Sequence, residues 1–386
     1  MKLTLQLQLL PDKDQIRKLE STVKRFNEAA NWLANRAFER RLANKVLLQR
    51  LYYADLREQF DLSAQMAIRC IAQVVEAYKR DKNKRPTFRP YAAIPYDQRL
   101  MGFKGLDKVS LLTLEGRIVV PLVMGRYQQE RFTNALGQSD LVRRKDGKWF
   151  LLTVVELPDG TPIPTTDFIG IDLGVSNLAT TDQEERFSGE PVEKVRQKYH
   201  AHRQSLQKKA ARLKKKGTRP KQVRRKLKQT GSKESRFRRD VNHVISKKLV
   251  ALAKDTGKGI ALEDLKGIRS RTRFRRQQRA QMTGWAFFQL CAFIEYKARL
   301  AGVPLVLVDP AHTSQTCSVC GYCAPGNRPL QDRFACLRCG HTLHADQNAA
   351  QNIRARALVN APQVSESSPT VGAEDRDKLT ALAVSG

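Results

Sequence analysis

The sequence predicts an α/β domain that follows a small β-barrel interrupted by a helical insertion. From residue 168 onward, apolar strands alternate with amphipathic helices, which is typical of a sheet with crossover helices. Before residue 158, short strands of alternating polarity flank a helical region. Two Cys-x-x-Cys pairs between residues 317 and 339 predict a small metal-binding insertion near the end of the second domain.

The first part of the chain contains the predicted barrel. Leu3, Leu5, Leu7 and Leu9 alternate as a half-buried strand, so residues 1–10 are expected to form the first barrel strand. Pro11-Asp12 is a helix start signal, and residues 11–85 carry helical apolar stripes. Strands are predicted at 109–114, 117–123 and 149–157, which makes 86–160 the rest of the barrel.

The second part contains the predicted α/β domain. It covers residues 161–311, with strands at 168–180, 259–263 and 303–308 and a basic helical segment at 194–240. The cysteine-containing segment is expected at 312–345 and a final helix at 346–360. Residues 361–386 have the composition of a disordered tail.

Positive charge dominates the composition. The 386 residues include 70 Lys or Arg and 38 Asp or Glu, which gives a formal net charge of +32. Residues 194–240 hold 20 basic residues against Glu234 and Asp240, and residues 266–279 add seven more with no acid. Such unbalanced blocks favour a polyanionic partner, and nucleic acid is the expected one.

The chain has neither a signal peptide pattern nor an apolar run long enough to span a membrane. We therefore expect no membrane partner and an intracellular, cytoplasmic protein.

The cysteine spacing predicts one structural zinc ion. Cys317 and Cys320 are separated by fifteen residues from Cys336 and Cys339, and these two knuckles can supply four thiolates to a tetrahedral site. Disulfides would need an oxidising compartment. Cys323 could compete as a ligand, although its three-residue offset from Cys320 suits the knuckle less well.

Three carboxylates stand at positions where a charge is costly unless it is paired or binds a metal ion. Asp172 lies in an apolar strand, Glu263 ends another, and Asp346 begins the last helix. Together they would form an oxygen-rich site for two Mg²⁺ or Mn²⁺ ions, about 3.5 to 4 Å apart, which suits phosphodiester hydrolysis. Taken singly, Asp172 could cap a turn, Asp264 could replace Glu263, and Asp346 could be a helix N-cap.

Several motifs resemble TnpB, the nuclease family of bacterial and archaeal insertion sequences, which is itself similar to compact type V CRISPR effectors. These motifs are GIDLG at 170–174, ALEDL at 261–265, HTSQTCSVCG at 312–321, CxxCG at 336–340 and DQNAAQNI at 346–353. The resemblance is strong across 168–353 and weaker across 1–157. One departure is Ala345, where the family commonly has an arginine.

The resemblance implies a RuvC-like nuclease domain of the RNase H fold with an inserted zinc ribbon, and a wedge-type barrel with a helical recognition bundle. It implies that Asp172, Glu263 and Asp346 are catalytic metal ligands and that the four paired cysteines bind zinc. It also implies a guide RNA derived from the transposon end and double-stranded target DNA cut beside a short adjacent motif.

Sequence reading in such a nuclease is delegated to base pairing, so the protein needs a basic channel. We expect one protein chain per RNA, in the cytoplasm of a prokaryote and at the nucleoid when bound to DNA. The expected nucleic-acid contacts in the two basic blocks are Lys208, Lys209, Lys214, Lys215, Lys216, Arg224, Arg225, Arg271, Arg273, Arg275 and Arg276.

Three other functions remain open from the sequence. A nuclease-inactive RNA-guided repressor would be expected to lose one of the three acids, and all three are present. A transposase proper would join strands rather than hydrolyse them, and it would lack this late ribbon. A zinc-ribbon RNA-binding protein without catalysis would leave the acids in the strands unexplained.

Overall fold

The computed structural model describes residues 1–132, 135–231, 233–265 and 287–360. The chain is divided into two compact units, Met1–Pro158 and Asp159–Gly386. The predicted basic block at 266–279, with Arg271, Arg273, Arg275 and Arg276, lies outside the described residues, as does the predicted tail. Among the helices that are described, none is long and apolar enough to cross a membrane.

The first unit contains a nearly closed, barrel-like sheet of seven strands in the order β2-β6-β7-β1-β5-β4-β3. Its two edge strands, β2 and β3, are joined by residues 98–100 alone, so the sheet must curl until its edges meet. Tyr96 in β2 accordingly donates a hydrogen bond to the carbonyl of Leu112 in β4 at 2.7 Å. The strands are β1 Lys2–Leu9, β2 Ile94–Asp97, β3 Met101–Lys104, β4 Lys108–Thr113, β5 Gly116–Val123, β6 Ala135–Arg143 and β7 Trp149–Glu156.

Three helices are inserted between β1 and β2: α1 Lys13–Glu39, α2 Lys45–Glu58 and α3 Ala64–Tyr78. The predicted start signal at Asp12 is a capping box, in which the Asp12 carboxylate accepts from the backbone N–H of Gln15 at 2.8 Å. Tyr78 at the end of α3 donates to the carbonyl of Ala34 in α1 at 2.9 Å. A short helix, α4 Arg126–Gln129, follows β5.

The second unit is built on a mixed five-stranded sheet in the order β10-β9-β8-β11-β12. β8 pairs antiparallel with β9 and parallel with β11, and β11 pairs parallel with β12. The predicted α/β class is therefore confirmed for this sheet. Its strands are β8 Phe168–Asp172, β9 Asn177–Thr181, β10 Arg186–Ser188, β11 Gly259–Glu263 and β12 Leu305–Val308.

Helices cover both faces of this sheet, and the alternation of the strand residues decides which helix each one contacts. Ile169, Ile171 and Leu262 belong to a core with the helices α7 Lys233–Asp255 and α8 Phe287–Ala301. Phe168 and Ala261 point to the opposite face, where they pack with the last helix, α9 Ala345–Asn360. Two further helices, α5 Glu190–Lys215 and α6 Lys221–Thr230, form the predicted basic pair around the turn at Gly217, whose φ is +72°.

A small cysteine-containing subdomain lies between β12 and α9. It has one 3₁₀ turn, Pro325–Asn327, and a hairpin of β13 Arg333–Ala335 and β14 Thr342–His344. Each Cys-x-x-Cys pair is followed by a glycine with positive φ, Gly321 at +72° and Gly340 at +73°. The N–H of each glycine donates to the carbonyl of the first cysteine of its pair at 3.0 Å, so the two knuckles have matching turns.

Candidate metal centres

Two of the predicted acids end neighbouring strands of the second sheet. β8 and β11 run parallel with Ile171 opposite Leu262, so the next residues, Asp172 and Glu263, lie side by side at the same edge. Asp346 is the second residue of α9 and is 9% exposed. It lies inside the first helical turn, so it is not the N-cap that the sequence left open.

Hydrogen bonds orient two of the three carboxylates. Glu263 accepts from the hydroxyl of Thr313 at 2.5 Å. Asp346 accepts from the side-chain amide of Asn177, which begins β9, at 2.9 Å. The guanidinium of Arg328, from the cysteine subdomain, lies 3.4 Å from the other oxygen of Asp346.

Asp172 is influenced electrostatically by the other two acids. Burial, and then the negative charges of Glu263 and Asp346, raise the pKa of Asp172 well above its usual value, while Arg328 opposes the shift. Burial also raises the pKa of Glu263, against the hydrogen bond from Thr313. Asp172 and Glu263 therefore lie in a partly desolvated place, and Glu263 and Asp346 are near enough to Asp172 to act on its charge.

The neighbouring acid, Asp264, acts on a different residue. Burial, and to a smaller extent the charges of Glu295 and Asp264, raise the pKa of Cys291 in α8 to about 11. Glu263, in contrast, is the acid of this pair whose charge raises the pKa of Asp172.

Asp346 owes its position to a close contact between α9 and β8. A Cβ on Gly170 would lie 2.0 Å from the carbonyl oxygen of Ala350, so only glycine allows the helix to approach this strand. Close to this helix–strand contact, the Asp167 carboxylate accepts two hydrogen bonds from the guanidinium of Arg354, at 2.8 and 3.0 Å. It also forms an ion pair with Lys258 at 2.8 Å. Although burial opposes it, these hydrogen bonds lower the pKa of Asp167 to about 2.

The four paired cysteines form the second candidate metal centre. Sγ of Cys317 lies 3.7 Å from that of Cys339, and Sγ of Cys320 lies 3.6 Å from that of Cys336. Within the described ranges, this is the only group of three or more His, Cys, Asp or Glu side chains whose ligand atoms all lie within 4.8 Å of one another. The three carboxylates are a less compact group. Cys323 is exposed and does not belong to the cysteine cluster.

The pKa values of two thiols in this cluster shift in opposite directions. A hydrogen bond from the N–H of Cys339 is the main cause that lowers the pKa of Cys336, so this thiol ionises readily. Against the hydrogen bond from the N–H of His341, hydrogen bonds with the neighbouring thiols and burial raise the pKa of Cys339. Four sulfur ligands held by two knuckles are the donor set that zinc takes in structural sites. The cluster could bind zinc.

The asparagines of the DQNAAQNI motif attach the cysteine subdomain to α9. Asn348 accepts from the N–H of Ser318 at 3.0 Å and donates to the carbonyl of Thr316 at 2.8 Å. Asn352, one turn later, donates to the carbonyls of Thr313 and Thr316 at 2.8 and 2.7 Å. Both amides therefore attach residues 313–318 to the helix that carries Asp346.

The basic residues expected to contact nucleic acid are exposed where the structure describes them. All seven lie on α5, at its end, or on α6: Lys208, Lys209, Lys214, Lys215, Lys216, Arg224 and Arg225.

Sequence reasoning missed several side chains that contact the three acids or fix the helix that carries one of them. Arg328 lies in a loop without periodicity, and no pattern in one sequence marks it. Asp167 and Arg354 also went unnoticed, although a charge directly before an apolar strand could have been questioned. Thr313 lies within a motif used for the resemblance, yet its contact with Glu263 needed the structure.

Two family models and one solved structure match large parts of the chain. A family model described as "Probable transposase" matches residues 153–267, and one described as "Cas12f1-like, TNB domain" matches residues 287–353. A Cas12f1 chain, solved by cryo-electron microscopy with sgRNA and target DNA, has a TM-score of 0.60 at 16% identity, covering 88% of this chain and 83% of that one. The fold is thus that of the Cas12f class.

Individual relatives confirm the resemblance to TnpB. InsQ of Escherichia coli (strain K12) is 28% identical over 76% of this chain and 75% of its own length. A TnpB-like protein of Methanocaldococcus jannaschii is 25% identical over 66% of this chain and 92% of its own length. Cas12f1 of Sulfoacidibacillus thermotolerans is 33% identical over 54% of this chain, and the chain spans about half, 50%, of that protein.

Proposed function

We propose that this protein is an RNA-guided DNA endonuclease of a transposable element, which cuts DNA next to a short transposon-adjacent motif by two-metal-ion hydrolysis. The observation that carries the proposal is the placement of Asp172 near Glu263 and Asp346: burial, and then the charges of these two acids, raise the pKa of Asp172. Carboxylates perturbed by burial and by neighbouring acids are concentrated at functional sites, and a bound cation would offset their charge. We further propose that the second unit is a RuvC-like domain of the RNase H fold.

The chemistry follows from the donor set. Asp172, Glu263 and Asp346 supply only carboxylate oxygens, which suit Mg²⁺ or Mn²⁺ and would hold them. Such ions, when bound, supply Lewis-acid stabilisation of the attacked phosphate and of the leaving oxygen. Thr313 and Asn177 fix the directions of two carboxylates, and Arg328 places a guanidinium where it can bind a phosphate oxygen.

Names of relatives support the same function. InsQ is named for RNA-guided DNA endonuclease activity, and the Cas12f1 relative is named a CRISPR-associated endodeoxyribonuclease. The partners are then a guide RNA from the transposon end and matching double-stranded DNA, with one protein chain per RNA. The exposed lysines and arginines of α5 and α6 would contact the phosphates of these partners. The setting is the prokaryotic cytoplasm, and the nucleoid when DNA is bound.

The zinc ion has a structural role in this proposal. It is held by Cys317, Cys320, Cys336 and Cys339, which leave no open coordination position for a substrate. Its role is to fold the subdomain that carries Arg328 and that Asn348 and Asn352 attach to α9.

A transposase proper is the second candidate, because the description of one matching family model names that activity. Both functions would use divalent ions on the same acids. They differ in product, since a transposase joins strands whereas the proposed nuclease leaves hydrolysed ends.

The proposal is tested with purified protein carrying the RNA that co-purifies with it. In Mg²⁺ this complex should cut duplex DNA that matches the guide part of the RNA, and Asp172→Ala should abolish cutting while RNA binding stays near normal. Asp255→Ala, at an exposed acid ending α7, is the matched control and should cut normally. Cutting by Asp172→Ala, or joined rather than hydrolysed products, would contradict the proposal.

A further inference from the structure

A cavity of about 400 Å³ lies in the second unit, where Val175 and Ser176 of the turn between β8 and β9 line its wall. Its volume is in the range of small-ligand sites in proteins, roughly 300 to 1,000 Å³. The lining includes the apolar side chains of Val175, Leu178 and Val192 and the polar side chains of Glu190, Arg238 and Gln331.

The cavity and the carboxylate site share structural elements. Ser176 on the cavity wall precedes Asn177, whose amide holds Asp346. Gln331 donates to the hydroxyl of Ser176 at 3.1 Å. The guanidinium of Arg328 connects the cavity with the carboxylate site. Its Nε donates to the carbonyl of Gln331 at 3.1 Å, and its Nη2 lies 3.4 Å from Asp346. One side chain therefore spans the distance from the cavity rim to an acid of the site.

The charges around the cavity are balanced, so the cavity is not a phosphate-binding site. Glu193 and Arg196, both on its wall, form two hydrogen bonds of 2.6 Å with each other. Glu190 on the rim is paired with Lys194 at 2.6 Å. Two carboxylates in the lining would repel a phosphate, whereas they can accept hydrogen bonds from an uncharged ring.

Arg238, whose half-buried side chain lines the cavity, is incompletely paired. Its Nε is buried, and no acceptor among the described residues pairs with it. An unpaired buried donor is unfavourable. The other N–H groups of the guanidinium can donate to an acceptor atom in the cavity.

We propose that this cavity, the base pocket, holds one unpaired nucleobase of the DNA strand that is being cut. Apolar walls can contact the faces of a base, while Arg238 and Glu190 offer a donor and an acceptor to its edge. Holding the base beside Asp346 places the attached phosphodiester at the three acids. The inference rests on the proposed nuclease function and assigns a subsite to it.

The test moves a single abasic site along the cut strand of a matching duplex and measures the cutting rate of the protein–RNA complex. With the native protein, one position next to the cut bond should slow cutting about tenfold, within the range of base stacking, whereas its neighbours should have less effect. Arg238→Ala should cut the intact duplex about tenfold more slowly and should show no further loss with that abasic site. Lys254→Ala, which removes one positive charge from an exposed position of the same helix outside the basic block 194–240, should behave like the native protein.

The outcomes separate the two proposals. If the native complex cuts no duplex at all, the nuclease function itself is wrong. If it cuts but every abasic position behaves alike, or if Arg238→Ala and the abasic site slow cutting independently, the base pocket is wrong. Val175→Phe, which narrows the cavity from a half-buried position, gives the same comparison should Arg238→Ala fold poorly, as judged by its melting temperature.

Discussion

Asp172 has an environment that destabilises its ionised form. Its carboxylate lies at the end of β8, where burial raises its pKa and the charges of two other acids add to the effect. A raised carboxyl pKa lowers the free energy of unfolding at neutral pH, since the folded state resists an ionisation that the unfolded state accepts freely. In the proposed function, the site would trade this stability for the capacity to bind cations.

Asp172→Asn should raise the stability of the metal-free protein while abolishing cutting. The carboxylate is protonated in both states below its usual pKa, near 4, so native and variant should differ little there. As the pH rises through that value, the native protein alone loses stability, by on the order of 1 kcal/mol for each unit of pKa shift. Melting temperatures at pH 4 and pH 8, with and without Mg²⁺, measure the effect.

Two results would contradict this prediction. Asp172→Asn would melt below the native protein at pH 8 without Mg²⁺, or Mg²⁺ would stabilise the variant as strongly as it stabilises the native protein. Asp255→Asn is the control, because this acid is exposed at the end of α7 and its replacement should leave both melting temperatures unchanged.

At the scale of elements, the contact of α9 with β8 determines where the third acid lies. Gly170 lets the carbonyl of Ala350 approach the strand, and Asp167 holds Arg354 one turn further along the helix. Neither residue contacts the three acids directly. Their effect on the chemistry would come through the position of the helix that carries Asp346.

Gly170→Ala should displace α9 and reduce cutting. The new Cβ would lie 2.0 Å from a backbone oxygen, so the helix must move, at a cost of roughly 1 to 3 kcal/mol for an overpacked core. Cutting rates and melting temperatures of the variant check this. Gly102→Ala in β3 is the matched control, because a Cβ there meets no atom within 4 Å. A Gly170→Ala protein that melts and cuts like the native one would show that the helix position is not critical.

Zinc binding should be needed for the arrangement of the second unit. Asn348 and Asn352 attach the cysteine subdomain to α9, and Arg328 from the same subdomain contacts Asp346. Cys336→Ser should lose the zinc, about one ion per chain, and should lower both the melting temperature and the cutting rate. Cys323→Ser is the control, because Cys323 is exposed and lies outside the cluster. Metal analysis that finds equal zinc in both variants would refute the site.

Elements with a regular pattern were predictable from the sequence, and those without one were not. β1 was expected because its leucines alternate as in a strand, β8 because its residues form a short apolar run, and α1 because Pro11-Asp12 is a helix start signal. β2 escaped prediction, since all four of its residues are buried and one is Pro95, which argues against a strand.

The acids were identifiable by the same logic, because a charge in an apolar strand is unusual. Arg328 and Asn177 were not, because they reach Asp346 from loops or strand ends whose mutual approach is a property of the tertiary structure.

For the whole molecule, the excess of positive charge is the dominant property. The formal charge of +32 belongs disproportionately to the helices α5 and α6, where the basic side chains are exposed. Like charges at this density repel one another until a polyanion neutralises them. Affinity for nucleic acid should therefore depend strongly on salt.

Replacing Lys208, Lys209, Lys214, Lys215 and Lys216 with Gln should reduce that salt dependence. Each phosphate contact contributes about 0.7 to 0.9 to the slope of log affinity against log salt, so the loss of five contacts should lower the slope by roughly 4. Binding titrations with the co-purifying RNA at several salt concentrations measure the slope. Lys→Arg at the same five positions keeps the charge and should keep the slope; an unchanged slope in the Gln variant would place the contacts elsewhere.

The order of the three acids along the chain has a consequence for protein synthesis. Asp172 and Glu263 leave the ribosome long before Asp346, which begins the last described helix. A nascent or prematurely terminated chain can present the lysines of α5 and α6 while it lacks one of the three proposed ligands. In the proposed function, such a fragment could capture RNA but could not cut the chromosome until translation had passed α9.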